Sequence, residues 1–381
     1  MLSCRGALSM VAVMSIGAFS FVACGGGNDG SAPVTDGGPV VDGSAPIDGD
    51  APTDGGVDSS ADAALSTLTA CPTSIIQTPG ACYEVLPTDT GADPSGENAA
   101  YPSIALTPDP KATPRHQLVL FLNGTSGHPR DDVASQTVSF YDTAATLGYS
   151  VLGVSYRSIE TMANLCTPSG SMIPTDSCYF PTRETLIRGV LQPSASSGVA
   201  NIRLDEGIAD RTLLALQYLA MRDPAGGWSE YFTTGAAGAT PESQIVWSKI
   251  VSAGHSQGGG HAAAIGKLFP VARVVQLSAT CDAIGETTPA TWTTGSIAPW
   301  ASDPSMFWGL GVQTTFGADG GATGGDTRCF THLVVWNNLG MTTSHQNDTA
   351  VTCTKATKAV DAHDATIGCP QNADAWKAML Q

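Results

Sequence analysis

The chain has 381 residues, of which 42% are hydrophobic and only 13% charged, with 17 Lys and Arg against 34 Asp and Glu for a formal net charge of −17. Such a balance excludes nucleic acid as a partner, because phosphate binding needs a basic patch that releases counterions. Eight of the negative charges (Asp29, Asp36, Asp42, Asp48, Asp50, Asp54, Asp58 and Asp62) fall in one low-complexity stretch, and the rest are dispersed as a soluble surface would have them.

The first element is a targeting segment. Arg5 precedes an apolar run from Ala7 to Val22, followed by Phe21-Val22-Ala23-Cys24 and three glycines. The run is shorter than the roughly 20 residues needed to span a bilayer, so it reads as a signal peptide over 1–23. From 24 to 65 the chain is mostly Gly, Asp, Pro, Ser and Ala, without Lys, Arg or aromatic residues. Near-repeats begin at Asp29, Asp42 and Asp48. A segment so poor in apolar side chains cannot repay the entropy of ordering, and it predicts a disordered tether. The Asp-Gly spacing is not that of a calcium-binding loop.

Residues 66–381 are expected to form one catalytic-sized domain. Its eight cysteines, Cys71, Cys82, Cys166, Cys178, Cys281, Cys329, Cys353 and Cys369, are an even set that suits an oxidising compartment. Eight cysteines allow 105 pairings, of which pairing between sequence neighbours is the simplest. None has the C-x-x-C or His spacing of a zinc site, so no metal is expected.

Strand-like and helix-like segments alternate after Cys71, the signature of a mostly parallel α/β sheet with helices on both faces. The runs 117–122, 150–154, 249–253 and 272–277 read as buried strands. Ile208 to Met221 carries a broad apolar stripe and predicts a crossover helix. Residues 157–200, with two cysteines and little periodicity, read as an insertion over the strand ends, either a pocket wall or a surface excursion.

The segment Ile250 to Ala264 contains Gly254-His255-Ser256-Gln257-Gly258. It follows a buried run and opens a small-residue helix, the context in which Gly-x-Ser-x-Gly makes a nucleophile. Gly-His-Ser-Gln-Gly-Gly resembles the nucleophile elbow of bacterial α/β-hydrolases of the esterase and lipase kind, a resemblance that extends from about Arg115 to the C-terminus. Likewise, Phe-Val-Ala-Cys resembles a lipobox, which implies acylation at Cys24, and Gly25 after it is what that resemblance associates with outer-membrane sorting.

The hydrolase resemblance implies a triad in the order Ser-acid-His, with no cofactor. Ser256 would be the nucleophile and the backbone amide of Gln257 the first oxyanion donor. The loop Asn123-Gly124-Thr125-Ser126-Gly127-His128, with Asn123 where the family usually has His, would supply the second donor through Thr125, with Ser126 as the neighbouring alternative. For the base, His116 and His128 come too early, His255 and His261 belong to the elbow, and His332 lies in an apolar stretch. That leaves His363, preferred because it precedes a terminal helix over Ala373 to Leu380, and His345. The seventh strand is expected at about 306–316, so Asp319 is the first choice of acid, with Asp282 and Asp326 as alternatives.

The function implied is a serine hydrolase acting on carboxylic esters, a small-molecule or lipid ester being the partner and a lipid anchor the contact with membrane. A tethered binding protein that has lost activity, and a peptidase on the same scaffold, are the competing readings. Oligomeric state is not legible.

Overall fold

In the computed structural model of the chain, residues 67–381 are described apart from 73–78, 95–99, 131–138, 190–196, 199–202, 286–287, 295–299, 313–314, 317–321, 327 and 356–357. The signal segment 1–23, Cys24, the linker 24–65 and Asp319 lie outside the described residues.

Elements run in chain order as β1 (Thr69–Ala70), β2 (Cys82–Val85), α1 (Pro87–Thr90), β3 (Ser103–Leu106), β4 (Leu118–Leu122), α2 (Ser139–Thr146), β5 (Ser150–Val154), α3 (Met162–Cys166), α4 (Asp176–Arg188), α5 (Ile208–Arg222) and α6 (Pro241–Gln244). They continue as β6 (Ile250–His255), α7 (Gln257–Leu268), β7 (Arg273–Leu277), β8 (Ala283–Ile284), β9 (Thr288–Pro289), β10 (Phe307–Leu310), β11 (Thr315–Phe316) and β12 (Ala322–Gly324). The last are α8 (His332–Asn338), β13 (Gln346–Asn347), β14 (Thr354–Lys355), β15 (Lys358–Ala359), α9 (Ala362–Gly368) and α10 (Ala373–Leu380).

Nine strands form one sheet in the order β1-β2-β3-β5-β4-β6-β7-β10-β13. The first three joins are antiparallel and the remaining five are parallel. The arrangement is an α/β fold consistent with that of α/β-hydrolases. The four strands expected from the apolar runs are β4, β5, β6 and β7. The expected seventh strand over 306–316 is shorter, as β10 ends at Leu310.

The continuous apolar run of β4 has a direct structural cause. Leu118, Leu120 and Leu122 pack into a core on one face of the sheet, while Val119 and Phe121 pack into a second core on the other. With both faces covered, neither parity of the strand tolerates a polar residue. The first core holds α5, whose Ile208, Leu213, Leu216 and Leu219 are buried, and the second holds α2 and α10, where Phe140 meets Trp376 edge-on at 6.1 Å.

The chain leaves β4 for β5 on one side and later returns to β6 on the other. The carboxyl ends of β4 and β6 are therefore a topological switch point, where an open α/β sheet leaves a crevice. Their register, with Leu122 opposite Gly254, brings the loop after β4 beside the turn after β6. The insertion after β5 supplies α3 and α4, which form a wall of that crevice.

All four disulfides join sequence neighbours, Cys71–Cys82, Cys166–Cys178, Cys281–Cys329 and Cys353–Cys369. They point to an extracytoplasmic location. Among the described residues no helix is long and apolar enough to cross a membrane.

Candidate active site

Ser256 sits between β6 and α7 with φ 54° and ψ −121°, a conformation rarely adopted by a residue with a side chain. Such a turn is sterically possible here because of its glycines. A Cβ on Gly254 would collide with the backbone of Gly258, and a Cβ on Gly258 would collide with the carbonyl oxygens of Leu122 and Asn123. The Ser256 amide is anchored by donating to the Leu277 carbonyl at 2.9 Å. Helix α7 then runs inward, buried from Gln257 to Lys267, and its first amides have no intrahelical acceptor.

The loop after β4 is held by Asn123, which is 1% exposed. Its Nδ2 donates to Ser158 Oγ at 3.2 Å and to the Gly127 carbonyl, while Tyr156 Oη donates to its carbonyl at 2.6 Å. Of the two candidate oxyanion residues in this loop, Ser126 has its amide committed to the Ser158 carbonyl at 2.8 Å. Thr125 lines the crevice with Ser256 and Gln257. Thr125 Oγ1 also donates to Gln257 Oε1 at 2.6 Å, so the two loops are joined by side chains as well as by strand register.

His363 lines the same cavity, which measures about 290 Å³. It lies in the first turn of α9, and Asp361 caps that helix by accepting from the Asp364 amide at 3.0 Å. Three groups hold the His363 carbonyl: Ser278 Oγ at 2.9 Å, Thr366 Oγ1 at 3.0 Å and His255 Nε2 at 3.1 Å. His255, the residue preceding Ser256, is fully buried and ties this turn to the helix that carries His363. This contact spans 108 residues and has no local signature in the chain.

The carboxylate against His363 is Asp326. Its oxygens lie 2.8 and 2.9 Å from His363 Nδ1, and one of them also accepts from the amides of Arg328 at 3.0 Å and Cys329 at 3.1 Å. Burial alone would raise this carboxyl, but the hydrogen bond and charge of His363 and the Arg328 amide hold it below the usual carboxylate range. An ionised acceptor at Nδ1 fixes the tautomer with its proton there and leaves Nε2 for the cavity side.

Asp282 has another task. Arg183 binds it through Nε at 2.7 Å and Nη2 at 2.6 Å, and Trp292 Nε1 donates to it at 2.8 Å. Although it lines the cavity, its carboxylate is engaged in this buried ion pair and not with His363. Asp319, the first choice from sequence, falls outside the described residues, and the Nδ1 position it would need is taken by Asp326.

Two other histidines that follow the elbow have different contacts, His332 lying beside Asp326. His345 stacks on Trp308 at 3.5 Å, with Nδ1 against the Phe307 carbonyl, and His332 Nδ1 lies 2.9 Å from the Cys329 carbonyl. Among the described residues two clusters have metal-ligand composition, His255 with His363 and Asp364, and Asp326 with Cys329 and His332. Both draw on groups already engaged: Cys329 Sγ is bonded to Cys281, and in the other cluster His255 Nε2 lies against the His363 carbonyl while Asp364 pairs with Arg328.

The chain matches no family model, and it matches no curated protein at a significant level. The arrangement of the cavity is therefore the basis for any functional reading.

Proposed function

We propose that the chain is a serine hydrolase that cleaves carboxylic esters by acyl transfer. The observation that carries this reading is one cavity lined both by Ser256, on a strained strand-to-helix turn, and by His363, whose Nδ1 is fixed by the buried Asp326. In this reading His363 Nε2 takes the Ser256 proton as Oγ attacks the ester carbonyl. The amides of Gln257 and Thr125 hold the oxyanion, aided by the positive end of α7. His363 then returns the proton to the leaving alcohol, and water, deprotonated by the same imidazole, releases the acid.

The domain is proposed to be exported by the segment 1–23, acylated at Cys24 and held off the envelope membrane by 24–65, with the outer membrane as the expected site.

The test is labelling by a fluorophosphonate together with hydrolysis of p-nitrophenyl acetate and butyrate. Ser256→Ala and His363→Ala are expected to abolish both. Asp326→Asn is expected to lower kcat on the order of 10⁴-fold, since the imidazole then loses its tautomer control. Asp282→Asn is expected instead to destabilise the fold by about 3–5 kcal/mol, because it leaves Arg183 buried without its counter-ion. A folded wild type that neither hydrolyses these esters nor takes up the probe would leave a tethered binding protein as the better account.

A further inference from the structure

Asp326 and His363 are 37 residues apart and belong to separate segments, so their hydrogen bond exists only while both segments keep their places. On the Asp326 side, its amide donates to the Val312 carbonyl at 3.0 Å and Cys329 is bonded to Cys281. On the imidazole side, α9 is held through the His363 carbonyl. A direct link between the two segments is Arg328. Its amide donates to Asp326 Oδ1 at 3.0 Å, while its side chain crosses to α9: Nη1 and Nη2 lie 3.4 and 3.3 Å from the two carboxylate oxygens of Asp364, and Nη2 also donates to Asp361 Oδ2.

These two aspartates bracket His363 at the start of α9. Asp361 divides its carboxylate, Oδ1 capping the helix at the Asp364 amide and Oδ2 facing Arg328. Asp364 also faces two ways: its side chain is 9% exposed, and Oδ1 lies 4.0 Å from His255 Nε2, the nitrogen set against the His363 carbonyl. Without Arg328 this nearly buried carboxylate loses its counter-ion, and a charge so placed is costly to leave unpaired. Turning toward His255 would relieve it at the expense of the His255 contact that holds His363. Arg328 also lines the cavity, but with its guanidinium matched by two carboxylates it is poorly placed to act as the counter-ion of a substrate.

We infer that Arg328 is a positioning residue, whose amide and guanidinium together clamp the Asp326 segment to the start of α9 and so fix the geometry in which His363 takes the Ser256 proton. The inference rests on the acyl-transfer reading and adds to it a residue that need not touch the substrate. Proton transfer between fixed groups is sensitive to small misplacements, so the clamp acts on kcat and not on ground-state binding. Substituting the side chain leaves the amide in place, which isolates the share of the guanidinium.

The experiment uses the full-length, disulfide-intact protein as wild type, Arg328→Gln, Arg328→Lys, Asp364→Asn and the double variant combining Arg328→Gln with Asp364→Asn. The substrates are p-nitrophenyl butyrate and the butyrate ester of a hydroxynitrobenzoate, which carries a negative charge, and kcat is taken per folded molecule. Arg328→Gln is expected to lower kcat about tenfold on both esters with KM nearly unchanged. Arg328→Lys recovers part of that loss, because it keeps the charge without the fork that reaches two carboxylates. Asp364→Asn falls to a similar level, and the double variant is no slower than either, the non-additivity of groups acting through one contact. Because Asp364→Asn probes the pair from its other side, failure of one variant to fold leaves the inference falsifiable. An unchanged kcat in Arg328→Gln and Asp364→Asn, or losses that multiply in the double variant, overturns it. So does a rise in KM confined to the charged ester, which would make Arg328 a counter-ion for substrate. A wild type that neither hydrolyses these esters nor takes up fluorophosphonate defeats the acyl-transfer reading and the inference with it, whereas an active wild type with unmoved variants defeats the inference alone.

Discussion

The amide and the side chain of Gln257 face different partners. The amide opens α7, while Oε1 accepts from Thr125 Oγ1 and the carbonyl accepts from Arg183 Nη1 at 3.0 Å. Arg183 is itself held by Asp282, so the residue following Ser256 is fixed from two sides. Preorganised donors matter most where charge develops, so loosening this arrangement should cost rate more than binding. Thr125→Val is expected to lower kcat about tenfold, the equivalent of ~1.4 kcal/mol in the barrier, with little change in KM. Thr125→Ser, which keeps the hydroxyl, is expected to restore it. Steady-state kinetics with p-nitrophenyl butyrate distinguish the outcomes, and a parallel rise in KM for the Val variant would point to simple loss of packing. From sequence, the Gln257 side chain carried no information, because its partner lies 132 residues away.

Helix α9 is short and would be marginal alone, since a single hydrogen-bonded turn does not offset its nucleation cost. Its position is set by its surroundings. Cys369 at its end is bonded to Cys353, and Asn372 Nδ2 donates to the Ala365 carbonyl at 2.8 Å and to Val351 at 3.1 Å. Trp376 Nε1 from α10 donates to the Thr366 carbonyl at 2.8 Å. Removing the bridge with Cys353→Ser and Cys369→Ser is expected to cost about 3 kcal/mol in denaturant unfolding. Removing Cys71–Cys82, which spans a loop of similar length at the edge of the sheet, should cost a comparable amount. The two double variants should differ in activity. Only the first loosens the helix that carries His363, so only that one should lower kcat per folded molecule, as active-site titration against residual activity would show.

At the scale of the whole molecule, two buried histidines outside the proposed triad are expected to lower stability as the pH falls. His261 is fully buried on α7, with no hydrogen-bond partner at either ring nitrogen and Tyr156 edge-on at 5.4 Å. Burial, and after it the Arg183 guanidinium, push its imidazole well below the usual range. His332 moves the same way, mainly through burial. The native state thus refuses protons that the unfolded chain accepts. Stability is complete above the ordinary imidazole pKa and falls as pH drops below about 6.5, by up to ~1.4 kcal/mol per pH unit for each such group. His261→Leu is expected to flatten the dependence of urea midpoint on pH between 7 and 5. An unchanged slope in that variant would assign the acid lability to other groups.

Much of this architecture was legible because its cause is local or periodic. The four central strands show as apolar runs since both faces of the sheet are covered, and the elbow at Ser256 shows because its two glycines are demanded by a close backbone approach within a few residues. The cysteine pairing followed sequence neighbours, and His363 stood out by its place before the terminal helix. The carboxylate partner of His363 did not: Asp282, Asp319 and Asp326 are equivalent in composition, and nothing in the chain says that Asp282 is consumed by Arg183, 99 residues away, or that Asp326 folds back onto His363, 37 residues on. A carboxylate's role depends on which cation or imidazole the fold brings to it. That pairing, like the His255 tether and the Gln257 clasp, exists only once distant segments meet, and the tertiary structure alone decided it.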